Sequence, residues 1–262
     1  MKFIQKDLGD AAEASSGGGD RGLVKEIGTL AVLVALALTI IYFLVVGITE
    51  VVVSKVSPQR EQQLFGGSEN GIVAGAKIPD SQKEKFARCE AVLEKLQSYE
   101  EVPQIDYTLI YLDDLSPNAF AVPGGSIGVT RGLLNSLDEE IAIAFVLAHE
   151  LGHFAQRDHL RGLGRKLGFG IGVQLIFGAD LQSFTRGPTD LVLAKYSRGQ
   201  ESGADEFGLR CVLSVYGETE GAEALFEVLE ENGSMPNWAY MFSSHPDNQS
   251  RIRRILEAKK TP

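Results

Sequence analysis

The sequence predicts an α+β fold that is mostly helical, with a small β-sheet and one separate apolar helix near the N-terminus. Three observations support this prediction. Residues 27–49 carry no charge and consist mainly of Leu, Val, Ile and Ala. Residues 118–130 form two short apolar runs around a Pro-Gly-Gly turn, which is typical of two paired strands. Much of the chain from residue 79 onward carries apolar residues at helical spacing.

The composition limits the classes of function. The chain has 262 residues, enough for one large domain with an appendage, and a formal net charge of -10. Nucleic-acid binding needs a basic surface, so nucleic acid is not expected as a partner. The two cysteines, Cys89 and Cys211, make no disulfide framework and can pair only if the fold brings them together.

The N-terminal part of the chain divides into segments by composition. Residues 1–25 are small and polar, and they predict a flexible tail. Residues 26–53 predict a transmembrane anchor, because the charge-free run 27–49 has 23 residues counted inclusively, against the roughly 20 that a helix needs to cross a bilayer. Residues 54–78 predict a connector, and residues 79–262 predict the main domain.

The apolar run is longer than that of a secretory signal, whose apolar core has about 7–15 residues before a cleavage site. We therefore expect an uncleaved, single-pass membrane protein that contacts the lipid bilayer; a buried core helix is the alternative, which this length disfavours. Arg21 and Lys25 precede the run, whereas Lys55 and Arg60 follow it. This slight bias favours a cytoplasmic N-terminus and an extracytoplasmic, periplasmic main domain.

Local patterns place the other elements of the main domain. They predict a helix from Asp80 to about Tyr99, a strand over 105–112, two strands on either side of the turn at 123–125, and a helix that Thr189 or Asp190 caps and that continues to about Tyr216.

One helix carries the residues that indicate chemistry. Residues 136–139, Ser-Leu-Asp-Glu, fit a capping box and predict that this helix begins there and continues to about Asp158. It contains His149, Glu150 and His153 in the pattern His-Glu-x-x-His. Residues four apart lie on the same helical face, so the two imidazoles can bind one zinc ion while Glu150 accepts a proton from a water.

The pattern alone also fits a pair of surface histidines. The neighbouring residues favour a metal site over surface histidines, because residues 142–147 are apolar on nearly every face and predict a buried helix. Buried polar side chains need partners. A third ligand is then required, and Glu201 is the best candidate, with Asp205 one turn further on and able to hydrogen-bond a ligand imidazole. Spacing alone does not separate these two carboxylates from Glu206.

Four motifs resemble peptidase family M48, the family of the CAAX prenyl protease and HtpX-like proteases. They are Asn118-Ala119-Phe120-Ala121-Val122-Pro123-Gly124-Gly125, then His149-Glu150-Leu151-Gly152-His153, then Arg198-Gly199-Gln200-Glu201 with Ala204-Asp205, and Ser244-His245-Pro246 followed by Arg251-Ile252. They occur in the order found in the family and span about residues 59–254.

The resemblance implies a mostly helical zincin (gluzincin-type) domain with a small sheet. It implies one Zn²⁺ per chain on His149, His153 and Glu201, with Glu150 as the catalytic base and Asp205 supporting a ligand. Multi-span members of the family surround the active site with membrane helices, whereas this chain has one convincing span, so a prenylated substrate is not expected.

His245 has two possible catalytic roles and one structural alternative. It can donate a hydrogen bond to the oxyanion, or it can bind zinc in the resting state and block the water position, as in compact proteins of the resembled family. The alternative is a loop histidine with no catalytic part.

The strand that contains Asn118, Ala119, Phe120 and Ala121 is a candidate edge for binding an extended, unfolded substrate through its backbone. The alternative is an ordinary hairpin in the core.

The segment 162–181 is apolar, with Gly164, Gly168 and Gly172 four residues apart. Glycines at that spacing allow another helix to approach closely. We favour a helix packed tightly inside the domain over a flap that dips into the membrane or covers the cleft.

The function that these features favour is a membrane-anchored zinc endopeptidase in protein quality control, acting on unfolded polypeptides. A zinc-stabilised binding or chaperone-like module is the alternative, and a subunit of a membrane complex is a third. An oligomer is possible in each case.

Overall fold

The computed structural model describes residues 9–66, 76–177 and 196–222. Seven helices and three strands are formed within these ranges. They are α1 (Gly9–Lys55), α2 (Pro58–Phe65), α3 (Asp80–Leu96), β1 (Thr108–Leu112), β2 (Ala119–Val122), β3 (Ser126–Thr130), α4 (Arg131–Ser136), α5 (Glu140–Gln156), α6 (Asp158–Phe177) and α7 (Arg198–Tyr216). The predicted mostly helical α+β fold is confirmed.

The three strands form one small mixed sheet in the order β1-β3-β2. β1 is parallel to β3, and β2 is antiparallel to it, with Ala121 opposite Ile127. Gly124 and Gly125 both have a φ of 97°, which residues with a side chain rarely adopt, so this tight turn requires glycine. The predicted strand pair is thus confirmed, whereas the strand expected from residue 105 begins at Thr108.

α5 lies at the centre of the core. It packs against α3, α7 and β2, and every residue from Ala142 to Phe154 is buried. This burial confirms the expectation drawn from its apolar sequence. Two of its polar residues, Glu150 and His153, are 2% and 0% exposed, so the helix carries its polar groups into the interior.

The predicted capping box at the start of α5 is wrong. Ser136 is the last residue of α4, and its hydroxyl donates to the carbonyl of Gly132 at 2.7 Å. Ser136 thus belongs to α4 and does not cap α5, whose N-cap is Glu139 without a side-chain cap. The Ser-Leu-Asp-Glu pattern that predicted the start of α5 therefore contains the end of α4.

α7 begins later than predicted. Its N-cap is Ser197, which accepts from the backbone N–H of Gln200 while the Gln200 side chain accepts from the Ser197 N–H. This reciprocal pair fixes the first helical residue at Arg198, and the predicted caps Thr189 and Asp190 lie outside the described residues. The end at Tyr216 is as predicted, with Gly217 at a φ of 78° closing the helix.

α1 contains the one segment of the described chain that is long and apolar enough to cross a membrane, from Gly22 to Lys55. Its large apolar side chains are exposed, among them Phe43 at 66% and Val32 at 67%. The helix itself begins at Gly9, inside the segment that composition assigns to the tail. The proposed segment boundaries therefore stay predictions.

The glycine-rich helix α6 packs against α1. A Cβ on Gly164 would lie 2.7 Å from Thr49 Cγ2, one on Gly168 would lie 2.5 Å from Val45 Cγ1, and one on Gly172 would lie 2.5 Å from Ile41 Cγ2. The expectation that glycines permit close helix packing is confirmed. The favoured location inside the domain is wrong, because the partner is the long N-terminal helix.

Candidate metal centre

The candidate metal centre lies where α5 and α7 cross. Small residues let the two backbones approach closely: a Cβ on Gly152 would be 3.0 Å from Ala204 Cα, and one on Gly208 would be 3.2 Å from the His149 backbone nitrogen. The approach brings the N-terminal half of α7 against the second half of α5. Side chains distant in sequence therefore meet in the interior.

Three potential ligands converge at this crossing. The Nε2 atoms of His149 and His153 are 3.2 Å apart. Glu201 Oε2 lies 3.6 Å from His149 Nε2, and Glu201 Oε1 lies 3.6 Å from His153 Nε2. All three residues are buried, and together they form a group able to hold a metal ion. The structure thus brings together the three ligands that the sequence and the resemblance selected.

A carboxylate stands behind each imidazole. Asp205 Oδ1 is 3.0 Å from His149 Nδ1, and Asp158 Oδ2 is 3.1 Å from His153 Nδ1. A carboxylate accepts a hydrogen bond, so each one favours the tautomer with the proton on Nδ1 and the Nε2 lone pair directed inward. Two lone pairs and the Glu201 carboxylate then face one another, an arrangement that a cation stabilises.

The spacing of these donors fits zinc. Tetrahedral zinc with Zn–N and Zn–O distances near 2.0–2.1 Å separates its ligand atoms by about 3.3–3.4 Å. The observed separations of 3.2, 3.6 and 3.6 Å bracket that value. Two imidazoles and one carboxylate are also the donor set of catalytic zinc sites that keep a position for water.

Two further side chains border the donors. Glu150 follows His149 directly and is 2% exposed. The Tyr196 ring stacks on His153 with centroids 3.8 Å apart and an interplanar angle of 18°. Burial, together with the nearby carboxylates of Glu150, Asp158 and Glu201, raises the pKa of Tyr196 well above its usual value. The phenol therefore keeps its proton and holds the imidazole ring in place.

Asp158 is a residue of the site that the sequence reasoning missed. Its Oδ1 accepts from Gln200 Nε2 at 2.7 Å and lies 3.7 Å from Arg161 Nη1, so its orientation is fixed from two sides. Gln200 also completes the cap of α7, immediately before Glu201. A ligand histidine needs an acceptor for its second nitrogen, and Asp158 is a carboxylate five residues after His153, so the sequence could have indicated it.

A second buried polar cluster ties α2 to the end of α5. Glu61 Oε1 accepts from His159 Nε2 at 2.6 Å and from the Gly124 N–H at 2.9 Å, and Arg157 Nη2 lies 3.2 Å from Oε2. Burial alone raises the pKa of Glu61, but His159, Gly124 and Arg157 outweigh it and leave the pKa below its usual value. His159 Nδ1 lies 3.2 Å from the His153 carbonyl, so His159 also contacts the backbone of α5.

Other predicted features fall around the site or outside the described residues. β2 packs beside α5 at the margin of the described sheet, with the side chains of Ala119 to Val122 buried. Cys89 and Cys211 are both free and buried, so they do not pair. His245 lies outside the described residues.

Residues 83–259 match the sequence profile described as Peptidase family M48. The chain belongs to peptidase family M48. The matched region covers the crossing of α5 and α7, so the convergent histidines and Glu201 lie within it.

Several curated relatives have a similar sequence. The chain is 28% identical over 155 residues to "Mitochondrial metalloendopeptidase OMA1" of Arabidopsis thaliana, which covers 59% of this chain and 32% of that protein. It is 29% identical over 174 residues to the protein of the same name from Schizosaccharomyces pombe, covering 63% and 50%. It is 29% identical over 168 residues to "Metalloprotease YcaL" of Escherichia coli, covering 58% and 61%. The match therefore spans a third to about 60% of these relatives' own lengths.

Proposed function

We propose that this M48 chain is a membrane-anchored zinc endopeptidase that hydrolyses peptide bonds in unfolded polypeptides, in the service of protein quality control. The observation that carries the proposal is the convergence of His149, His153 and Glu201 on α5 and α7, with Glu150 on the same buried helix. The names of the relatives, which are metalloendopeptidases and a metalloprotease, support the reaction class.

The proposed division of labour follows from the positions of the side chains. His149, His153 and Glu201 hold the ion, and Asp205 and Asp158 fix the orientation of the two imidazoles. A bound zinc ion supplies a water of lowered pKa and polarises a carbonyl oxygen. Glu150 accepts the proton of the attacking water and delivers it to the leaving amine. His245 is proposed either to donate to the oxyanion or to block the water position in the resting protein.

Substrate binding is proposed along β2. This strand pairs with β3 and packs beside the metal helix α5, so a polypeptide added to its other side would extend past the site. Backbone hydrogen bonds to a strand edge give affinity with little sequence preference. That property suits unfolded substrates. The anchor is α1, with the N-terminus proposed to be cytoplasmic and the domain extracytoplasmic.

Cleavage of unfolded casein by the Glu150→Gln variant tests the mechanism. Loss of a general base lowers the rate by about a hundredfold or more. Zinc content measured on the same preparation should stay at one ion per chain, since the three ligands are unchanged. Glu206→Gln is the matched control, because it makes the same chemical change at a residue on the exposed face of α7. It should cleave at the parent rate.

Equal cleavage by the parent and Glu150→Gln would reject Glu150 as the base. A zinc-loaded parent that cleaves no polypeptide at any pH would reject the endopeptidase assignment and favour a binding module.

A further inference from the structure

The packing of α6 on α1 fixes the level at which α6 lies. Gly164, Gly168 and Gly172 contact Thr49, Val45 and Ile41 in turn, so the two helices run antiparallel, one turn of α6 for each turn of α1. These contacts fall inside 27–49, the run proposed to cross the bilayer. α6 therefore occupies the same level as the final three turns of the anchor.

The change from charged to apolar residues occurs at this same level on both helices. Glu50 is the first charge after the apolar run of α1, and Arg161 Nε donates to it at 2.8 Å. Arg165 and Lys166 are the last charges of α6. Beyond them, residues 167–177 carry none and extend about 16 Å at about 1.5 Å per residue. Basic side chains at such a boundary are suited to lipid headgroups.

The outer surface of this helix pair is apolar. Ile171 of α6 is 51% exposed, and Phe43 of α1, at nearly the same level, is 66% exposed. On the domain side of the charged level, an apolar groove of about 320 Å³ lies between α1, α2 and α6, lined by residues such as Val52, Leu64 and Leu163. Contiguous exposed apolar surface of this kind marks a membrane or protein contact.

We propose that α6 is embedded in the lipid bilayer beside α1, entering to about half of the roughly 30 Å hydrocarbon thickness. Acyl chains cover the outer face of α6, and Arg165 and Lys166 contact the headgroups. A lipid surface is favoured over a second protein chain because the charge boundaries of α1 and α6 coincide in one plane. The inference rests on the proposed anchoring of α1.

Site-specific fluorescence on the full-length protein in phosphatidylcholine and phosphatidylglycerol vesicles tests this. An NBD probe is attached at Ile171→Cys, and at Gln174→Cys as a second reporter on the exposed face of α6. Phe43→Cys marks the bilayer at the same level on α1, and Leu213→Cys, 54% exposed on α7, marks water.

The two native thiols give little background. Cys89 and Cys211 are buried, and burial raises the pKa of Cys89 to about 11 and that of Cys211 to about 12, so they react slowly with the label.

Phosphatidylcholine with a nitroxide on its acyl chain should remove most of the fluorescence at Ile171, Gln174 and Phe43, with a matching blue shift of emission at each position. Aqueous iodide should quench Leu213 alone. Iodide quenching at Ile171 and Gln174, or protection of both from either quencher by a protein neighbour, would overturn the proposal. Failure of lipid quenching at Phe43 would instead reject the anchoring of α1, which separates the two ideas.

Discussion

Replacing Asp158 by Asn tests how the site orients its ligands. Asn has nearly the same shape, so packing is preserved, but its amide oxygen is a weaker acceptor than a carboxylate. In the parent, Asp158 accepts from His153 Nδ1 at 3.1 Å and from Gln200 Nε2 at 2.7 Å. The variant retains a neutral acceptor for one donor and loses the charge that supports the imidazole.

The expected magnitude is a 10- to 100-fold loss of zinc affinity, the usual cost of changing a group that hydrogen-bonds a ligand histidine. This corresponds to about 1.4–2.7 kcal/mol of binding free energy at about 1.36 kcal/mol per factor of ten. Asp158 is 2% exposed, so solvent cannot replace the lost interaction. Asp205→Asn, behind His149 at 3.0 Å, should produce a loss of the same size.

Competition with a chromophoric zinc chelator measures the dissociation constant of each variant, and circular dichroism checks that the fold is retained. Glu206→Asp, on the exposed face of α7, serves as the control and should bind as the parent does. A folded Asp158→Asn protein whose zinc dissociation constant equals that of the parent would refute the role assigned to Asp158.

Three further predictions follow from the packing and the charges. Gly152→Ala should lower the unfolding free energy, measured in urea titrations, by about 1–3 kcal/mol through overpacking against Ala204, and it should weaken zinc binding. Gly199→Ala, whose Cβ would meet only Ser197 Oγ at 4.0 Å, should lower neither. The lowered pKa of Glu61 contributes stability in full above the ordinary pKa of 4.5, and this contribution is lost as pH falls through the folded-state value. Urea unfolding across acidic pH should therefore show a steeper loss for the parent than for Glu61→Gln, and identical slopes would contradict it. Removing zinc with a chelator should lower the melting temperature, since ligand at about a hundred times its dissociation constant adds about 2.7 kcal/mol; an unchanged melting temperature in parent protein shown to contain zinc would exclude a stabilising ion.

The sequence predicts what depends on local spacing. His149 and His153 are placed together by one turn of helix, and the strand pair around Gly124 and Gly125 follows from its turn residues. The choice of Glu201 needed the family resemblance. The crossing of α5 and α7 that brings it to the histidines is set by close backbone contact at Gly152, which no local pattern reveals.

Longer-range partners escaped the sequence analysis for the same reason. Glu61 meets His159 across 98 positions of chain, and no periodicity connects them. Ser136 was misassigned because a serine at this position can either begin one helix or end the preceding one. The fold places it at the end of α4, where its hydroxyl donates to the Gly132 carbonyl. The glycine spacing around Gly168 indicates that a second helix packs closely, but it does not say which one. The partner residue is Val45, 123 positions earlier in the chain.

The joint between α5 and α6 is a single residue, Arg157, in a left-handed conformation with a φ of 61°. Its Nη1 also donates to the Val56 carbonyl at 2.7 Å, just beyond the end of α1. One residue added at this joint would rotate α6 by about 100°, because a helix has about 3.6 residues per turn, and would swing its glycine stripe away from α1. The orientation of α6 against α1 is therefore set by its distance in sequence from the metal helix, and an insertion at Arg157 is expected to separate α6 from α1.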